Sequence, residues 1–125
     1  MRNPNQRTAT AKATNGVATA TIAAPDSSDH RFRAQLVVAS FSGAPAAPAL
    51  LTISSDNSAA VGPTGAPLPG AGLHVLAELP VGALPLVIPD LDLRGYPGGT
   101  LVASLAAGGA AIVGGVFIIA TFEGA

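Results

Sequence analysis

The sequence predicts an all-β chain: a single antiparallel β-sandwich, jelly-roll-like, with an extended N-terminal arm. Short stretches of period-2 alternation recur at turn-marked intervals, as in sandwiches and barrels. Gly (15 residues) and Pro (11 residues) punctuate the chain between them. No apolar stripe of helical period continues beyond one turn. A length of 125 residues fits one domain. Residues 1–7 read as an extended basic arm and residues 8–125 as the sandwich.

In chain order, residues 8–14 alternate Thr with Ala apart from Lys12, then reach Asn15-Gly16, and residues 17–22 resume the alternation. Asn-Gly is the dipeptide of type I′ turns, so a β-hairpin is expected. β-Branched Thr on one pleated face and Ala on the other favours strand over helix. After a polar turn at residues 25–29, residues 30–42 form a half-buried strand. Arg31, Arg33 and Gln35 are expected on one face, with Phe32, Ala34, Leu36 and Val38 on the other. Residues 43–48 are a Pro-interrupted loop, residues 49–54 a short strand, and residues 55–58 a polar turn.

Residues 61–72 are Pro, Gly and small side chains, which reads as an irregular surface loop. Alternation resumes over residues 73–79. Prolines at 85 and 89 mark the next strand as an edge, because proline cannot donate to a ladder. Residues 90–99 read as a structured turn, and residues 100–106 and 111–123 as the last two strands.

The last strand is apolar on both faces. Ile112, Val116, Ile118 and Phe122 line one, and Val113, Phe117 and Ile119 the other. One face meets the core. The second is either covered by the Pro/Gly-rich loops or buried against another subunit, and we favour the interface. Residues 101–120 are long enough for a membrane helix. However, Gly108-Gly109 and Gly114-Gly115 break the run, no Lys or Arg follows it and Trp is absent from both flanks, so no membrane span is expected.

Composition narrows function. Twenty-six alanines leave few large side chains, so the core is expected to be thin. Charged residues are 10% of the chain, net charge is -1 and the pI is near 6.0, which gives no general attraction to nucleic acid or anionic lipid. The absence of Cys removes disulfides, thiolate metal sites and Cys nucleophiles. His74 and Glu78 are expected on one strand face, too far apart to share a metal. Asp90 and Asp92 lack a third carboxylate nearby in sequence. The glycine pairs have no strand-to-helix context for phosphate. No catalytic residue, metal or cofactor is therefore expected, and the chain is not expected to be an enzyme. The polar N-terminus with Pro4 lacks the apolar core of a secretory signal.

The cations are unevenly spread. Arg2, Arg7 and Lys12 are half of the six, and no acid precedes Asp26. Such an arm is either a solvated terminus or one ordered against a neighbouring subunit, and we favour the second. The candidate partner interface is thus Arg2, Arg7, Lys12, Val113, Phe117 and Ile119.

The running pattern resembles the capsid decoration, or cement, proteins of tailed bacteriophages. It includes the Ala/Thr opening with Ala18-Thr19-Ala20-Thr21-Ile22-Ala23-Ala24, the strand starting His30-Arg31, and Ser40-Phe41-Ser42-Gly43. It continues with Leu51-Thr52-Ile53, Leu93-Arg94-Gly95, Gly98-Gly99-Thr100-Leu101, and Leu105-Ala106-Ala107-Gly108-Gly109 before the final apolar strand. The insertion at residues 62–72 has no counterpart in that pattern. The resemblance implies a non-enzymatic virion protein, made in the host cytoplasm, that binds the outer surface of the head and clamps neighbouring major capsid subunits. Self-association as a dimer or trimer is expected, with no nucleic acid or membrane as partner. The alternative is a head-fibre, tail or adhesion β-sandwich that binds a receptor or glycan, for which exposed aromatics are expected.

Overall fold

Residues 6–23, 30–58, 72–89 and 93–124 are described by the computed structural model. They form β1 (Gln6–Thr14), β2 (Ala18–Ile22), β3 (His30–Phe41), β4 (Ala49–Asp56), β5 (Leu73–Val81), β6 (Leu86–Ile88), β7 (Leu93–Arg94), β8 (Leu101–Leu105) and β9 (Val113–Gly124). The first sheet runs β1-β9-β3-β6 with β7 also paired to β3, and the second runs β2-β8-β4-β5. Every pairing is antiparallel. Apart from the two-residue β7, this is the eight-strand jelly-roll order. The Pro-flanked β6 is an edge strand, as its sequence predicts. Residues 101–120 make β8 and most of β9, and among the described residues no helix is long and apolar enough to cross a membrane.

Alternation decides what lies between the sheets. Ala18, Ala20 and Ile22 of β2, Leu101, Ala103 and Leu105 of β8, and Leu51 and Ile53 of β4 face Phe32, Ala34, Val37 and Ala39 of β3 and Val116, Ile118 and Ala120 of β9. Alanine supplies many of these positions, so the core is thin as expected. The large buried side chains each contribute about 1.5–3 kcal/mol of transfer free energy. Gly108 and Gly114 leave room for Phe41, since a Cβ on either would come within 2.8 or 3.0 Å of its ring.

The structure corrects four expectations. The Asn15-Gly16 turn is not a hairpin: β1 pairs with β9 and β2 with β8, so the turn is a corner passing from one sheet to the other. Asn15 holds that corner in the left-handed region (φ 47°) and donates its N–H to the Ile112 carbonyl at 2.9 Å. Gln6 and Arg7 are not arm residues, because β1 already pairs them with Thr121 and Ala120; residues 1–5 lie outside the described residues. Leu36 and Val38 are not on the core face. A bulge between Ala34 and Leu36 resets the alternation, so Val37 and Ala39 point inward instead. A second register shift, opposite Ile53 and Ser54, places His74 opposite Ser55 and Glu78 opposite Thr52, which separates their faces. The loop at 61–72, apart from Gly72, lies outside the described residues, as do the turn at 25–29, Asp90 and Asp92.

Candidate functional site: the outer face of the first sheet

Antiparallel register sets outward side chains abreast across four strands. Val87 of β6, Val38 of β3, Phe117 of β9 and Thr10 of β1 form one row. Leu36, Ile119 and Thr8 form the next row on one side. Ser40, Gly115 and Lys12 form the row on the other side. Leu36, Val38, Phe117 and Ile119 are half-buried without joining the core cluster, and Val87 is 55% exposed. Cross-strand aliphatic and aromatic pairs of this kind hold the sheet together and also present a continuous apolar surface.

Three of the predicted interface residues thus meet Lys12 on one surface: Phe117 and Ile119 at its centre, and Val113 opposite Thr14 where β9 begins. Arg7 is not on it. Its register puts it on the inner side, where its guanidinium lies 5.0 Å from the centroid of the Phe122 ring. Arg2 lies outside the described residues.

The far end of the face is polar. Gln35, the bulge residue, donates from Nε2 to Thr121 Oγ1 at 3.1 Å. Arg94 Nε lies 2.8 Å and Arg31 Nε 3.4 Å from Glu123 Oε1. The hydrogen bond from Arg94 is the main reason that the Glu123 carboxyl lies below the usual glutamate range; burial opposes it, and the charges of both arginines add to the lowering. At the other end, the missing side chain of Gly115 leaves a notch of about 170 Å³ walled by Thr10, Lys12, Ser40, Val38 and Phe117.

A second exposed feature stands elsewhere. His74 and Tyr96 stack with ring centroids 3.7 Å apart and planes within 6°. The loop carrying Tyr96 is tied down: Tyr96 N–H donates to the buried Ser55 Oγ (3.0 Å), and Gly95 N–H to the Phe32 carbonyl (2.7 Å). Asn57 Nδ2 donates to the Pro97 carbonyl at 3.3 Å. A Cβ on Gly99 would lie 2.8 Å from Ser55 Oγ, so only glycine fits beneath this loop without a shift.

Among the described residues, no group of three His, Cys, Asp or Glu stands close enough to hold a metal. Sequence reasoning missed Leu36, Val38, Val87, Gly115 and the His74–Tyr96 pair. The consecutive apolar residues Leu36-Val37-Val38 were a signal that strict alternation fails there. Nothing in the sequence marks His74 and Tyr96 as partners.

No family model matches the chain, and no curated protein matches it. Solved structures are similar in fold alone. The Drosophila NLP core, described for pentamer formation and histone binding, is 12% identical at a TM-score of 0.49, covering 94% of this chain and 97% of that one. A family 36 carbohydrate-binding module in complex with calcium and xylotriose is 13% identical at 0.39, covering 91% and 78%. A human norovirus GI.7 virus-like particle subunit is 13% identical at 0.43, covering 99% of this chain and 33% of that one. Carbohydrate-binding modules recur among these likenesses. What all of them share with this chain is a general β-sandwich architecture.

Proposed function

We propose that the chain is a non-enzymatic structural module that docks through the outer face of its first sheet onto a protein shell. Following the resemblance to cement proteins, that shell is the outer surface of a phage head, and the partner is the major capsid protein. The observation that carries the reading is the contiguous surface of Leu36, Val38, Val87, Phe117 and Ile119. An aliphatic face of this kind suits another protein's apolar surface; sugar hydroxyls would strip water from it without gaining hydrogen bonds. Repetition by shell symmetry multiplies a modest single contact, and dimer or trimer formation belongs to the same reading.

The test is mass spectrometry of virions from a phage encoding the chain, with wild type and Phe117→Ser compared. Copy number comparable to the major capsid protein, lowered by Phe117→Ser, is expected. Absence from the virion overturns the reading, and a handful of copies makes the chain a fibre or tail part. One observation favours the receptor- or glycan-binding alternative: Tyr96, 39% exposed, is held rigidly against His74 as a flat aromatic surface. Glycan-array binding that disappears in Tyr96→Ala would select that alternative.

A further inference from the structure

Gly114 and Gly115 are neighbours in a central strand, yet the interior demands only the first. A Cβ on Gly114 would lie 3.0 Å from Phe41 Cε1 and 3.3 Å from Leu105 Cδ2. A Cβ on Gly115 would meet nothing nearer than Lys12 Cγ at 3.7 Å and the Ala11 carbonyl oxygen at 3.8 Å, which are ordinary contacts. Nor does Gly115 adopt a positive φ. Glycine inside a strand weakens it, through lost chain entropy and a missing packing partner. With no demand from backbone or core, the remaining physical reason for glycine here is close approach from outside.

The surroundings say what approaches. Lys12 brings the charge to the notch, Thr10 and Ser40 bring hydroxyls, and Phe117 and Val38 form an apolar wall. Resting on the docking reading above, we propose that the notch over Gly115 receives an aspartate or glutamate side chain of the protein partner. Its carboxylate meets the Lys12 ammonium and accepts from the Thr10 and Ser40 hydroxyls, while its stem lies on Phe117 and Val38. A side chain seated in a pocket inside an apolar patch is the form that energetic hot spots take.

The experiment measures binding to phage heads assembled without the chain, using wild type, Gly115→Val and Lys12→Gln at low and moderate salt. Gly115→Val fills the notch from a strand position that tolerates a Cβ, so its melting temperature is expected to hold or rise. Its affinity is expected to fall roughly 30-fold or more. Lys12→Gln is expected to lose about tenfold and most of the salt dependence. Should Gly115→Val not fold, Gly115→Ala decides by the same comparison. Wild-type-strength binding by the filled variant overturns the notch. Loss in Gly115→Val with none in Lys12→Gln overturns the acidic occupant. Failure of wild type to bind at all overturns the docking reading instead.

Discussion

On the outer face of the second sheet, Thr19 of β2 stands opposite Ser104 of β8 with hydroxyl oxygens 3.3 Å apart, and Thr52 continues the row to Glu78. Across the row Thr10–Phe117–Val38–Val87 on the first sheet, aliphatic and aromatic side chains occupy comparable outward positions. Leu50, Val75 and Leu73 are exposed on the second sheet, and the Thr52–Glu78 row separates Leu50 from the pair Val75 and Leu73 at the edge strand. Both sheets bury the same kind of inner face, so folding alone does not account for the difference. A face whose apolar residues are divided by a hydroxyl- and carboxylate-bearing row is more at ease in water than a connected one. A connected apolar one gains from being covered, which is why the proposed docking reading rests on the first sheet.

The largest expected effect tests which side of β9 belongs to the core. Ile118 is fully buried, and Ile118→Ala is expected to cost about 2–5 kcal/mol in urea unfolding. Its neighbour Phe117 points outward, and Phe117→Ala is expected to cost about 1 kcal/mol or less. Equal losses at both positions would mean that the isolated chain already covers its outer face, and the contrast between the sheets would collapse.

Next in size is the second sheet's own exposed feature. Ser55→Ala removes the acceptor for the Tyr96 N–H inside a buried site and is expected to cost about 1–3 kcal/mol. Because the same bond positions Tyr96 over His74, the near-ultraviolet circular dichroism of Tyr96 is expected to weaken as well. An unchanged spectrum and stability would mean that the loop is held by its other bonds. A smaller gain is expected where the chain enters β9. Ala111 sits at φ 61°, a region costly for a residue with a Cβ, so Ala111→Gly is expected to stabilise by roughly 0.5–1 kcal/mol. A loss there would mean that the flexibility added to the unfolded chain outweighs the relieved strain.

The jelly roll was largely legible because its strands alternate cleanly, and glycine and proline bound them. What escaped was register. Leu36-Val37-Val38 satisfies either facing equally well, and only the bulge at Gln35, made with Thr121 across the sheet, selects the facing that exposes Leu36 and Val38. Asn15-Gly16 correctly marked a turn, but whether a turn joins paired strands or two sheets depends on β8 and β9, almost a hundred positions away. Of the residues on the outer face of the first sheet, Val113, Phe117 and Ile119 were readable from the two-faced last strand, and Lys12 from the run of cations that precedes any acid. Arg7 was misplaced because charge along the chain carries no facing. The difference between Gly114 and Gly115 lies entirely in what surrounds them.

The smallest effect concerns two carboxyls, one at the end of each sheet, both held below their ordinary values for different reasons. Glu123 is lowered by the hydrogen bond and charge of Arg94, with Arg31 adding to it. Asp56 is lowered by hydrogen bonds from the Ser58 side chain and backbone N–H, with a lesser contribution from the charge of His74. In each case the folded state holds the proton less tightly than the unfolded chain. The stabilisation is therefore present above the unfolded value, and it is lost as pH falls through the folded one. Melting temperature is expected to drop modestly as pH falls from about 5 to about 3. The two shares separate by salt: the exposed Glu123–arginine attraction is screened at roughly 0.5 M salt, whereas Asp56 depends mainly on neutral donors. Glu123→Gln is accordingly expected to flatten the low-salt slope and leave the high-salt slope nearly as in wild type. A low-salt slope unchanged by Glu123→Gln would remove the arginine pair from the stability of the first sheet.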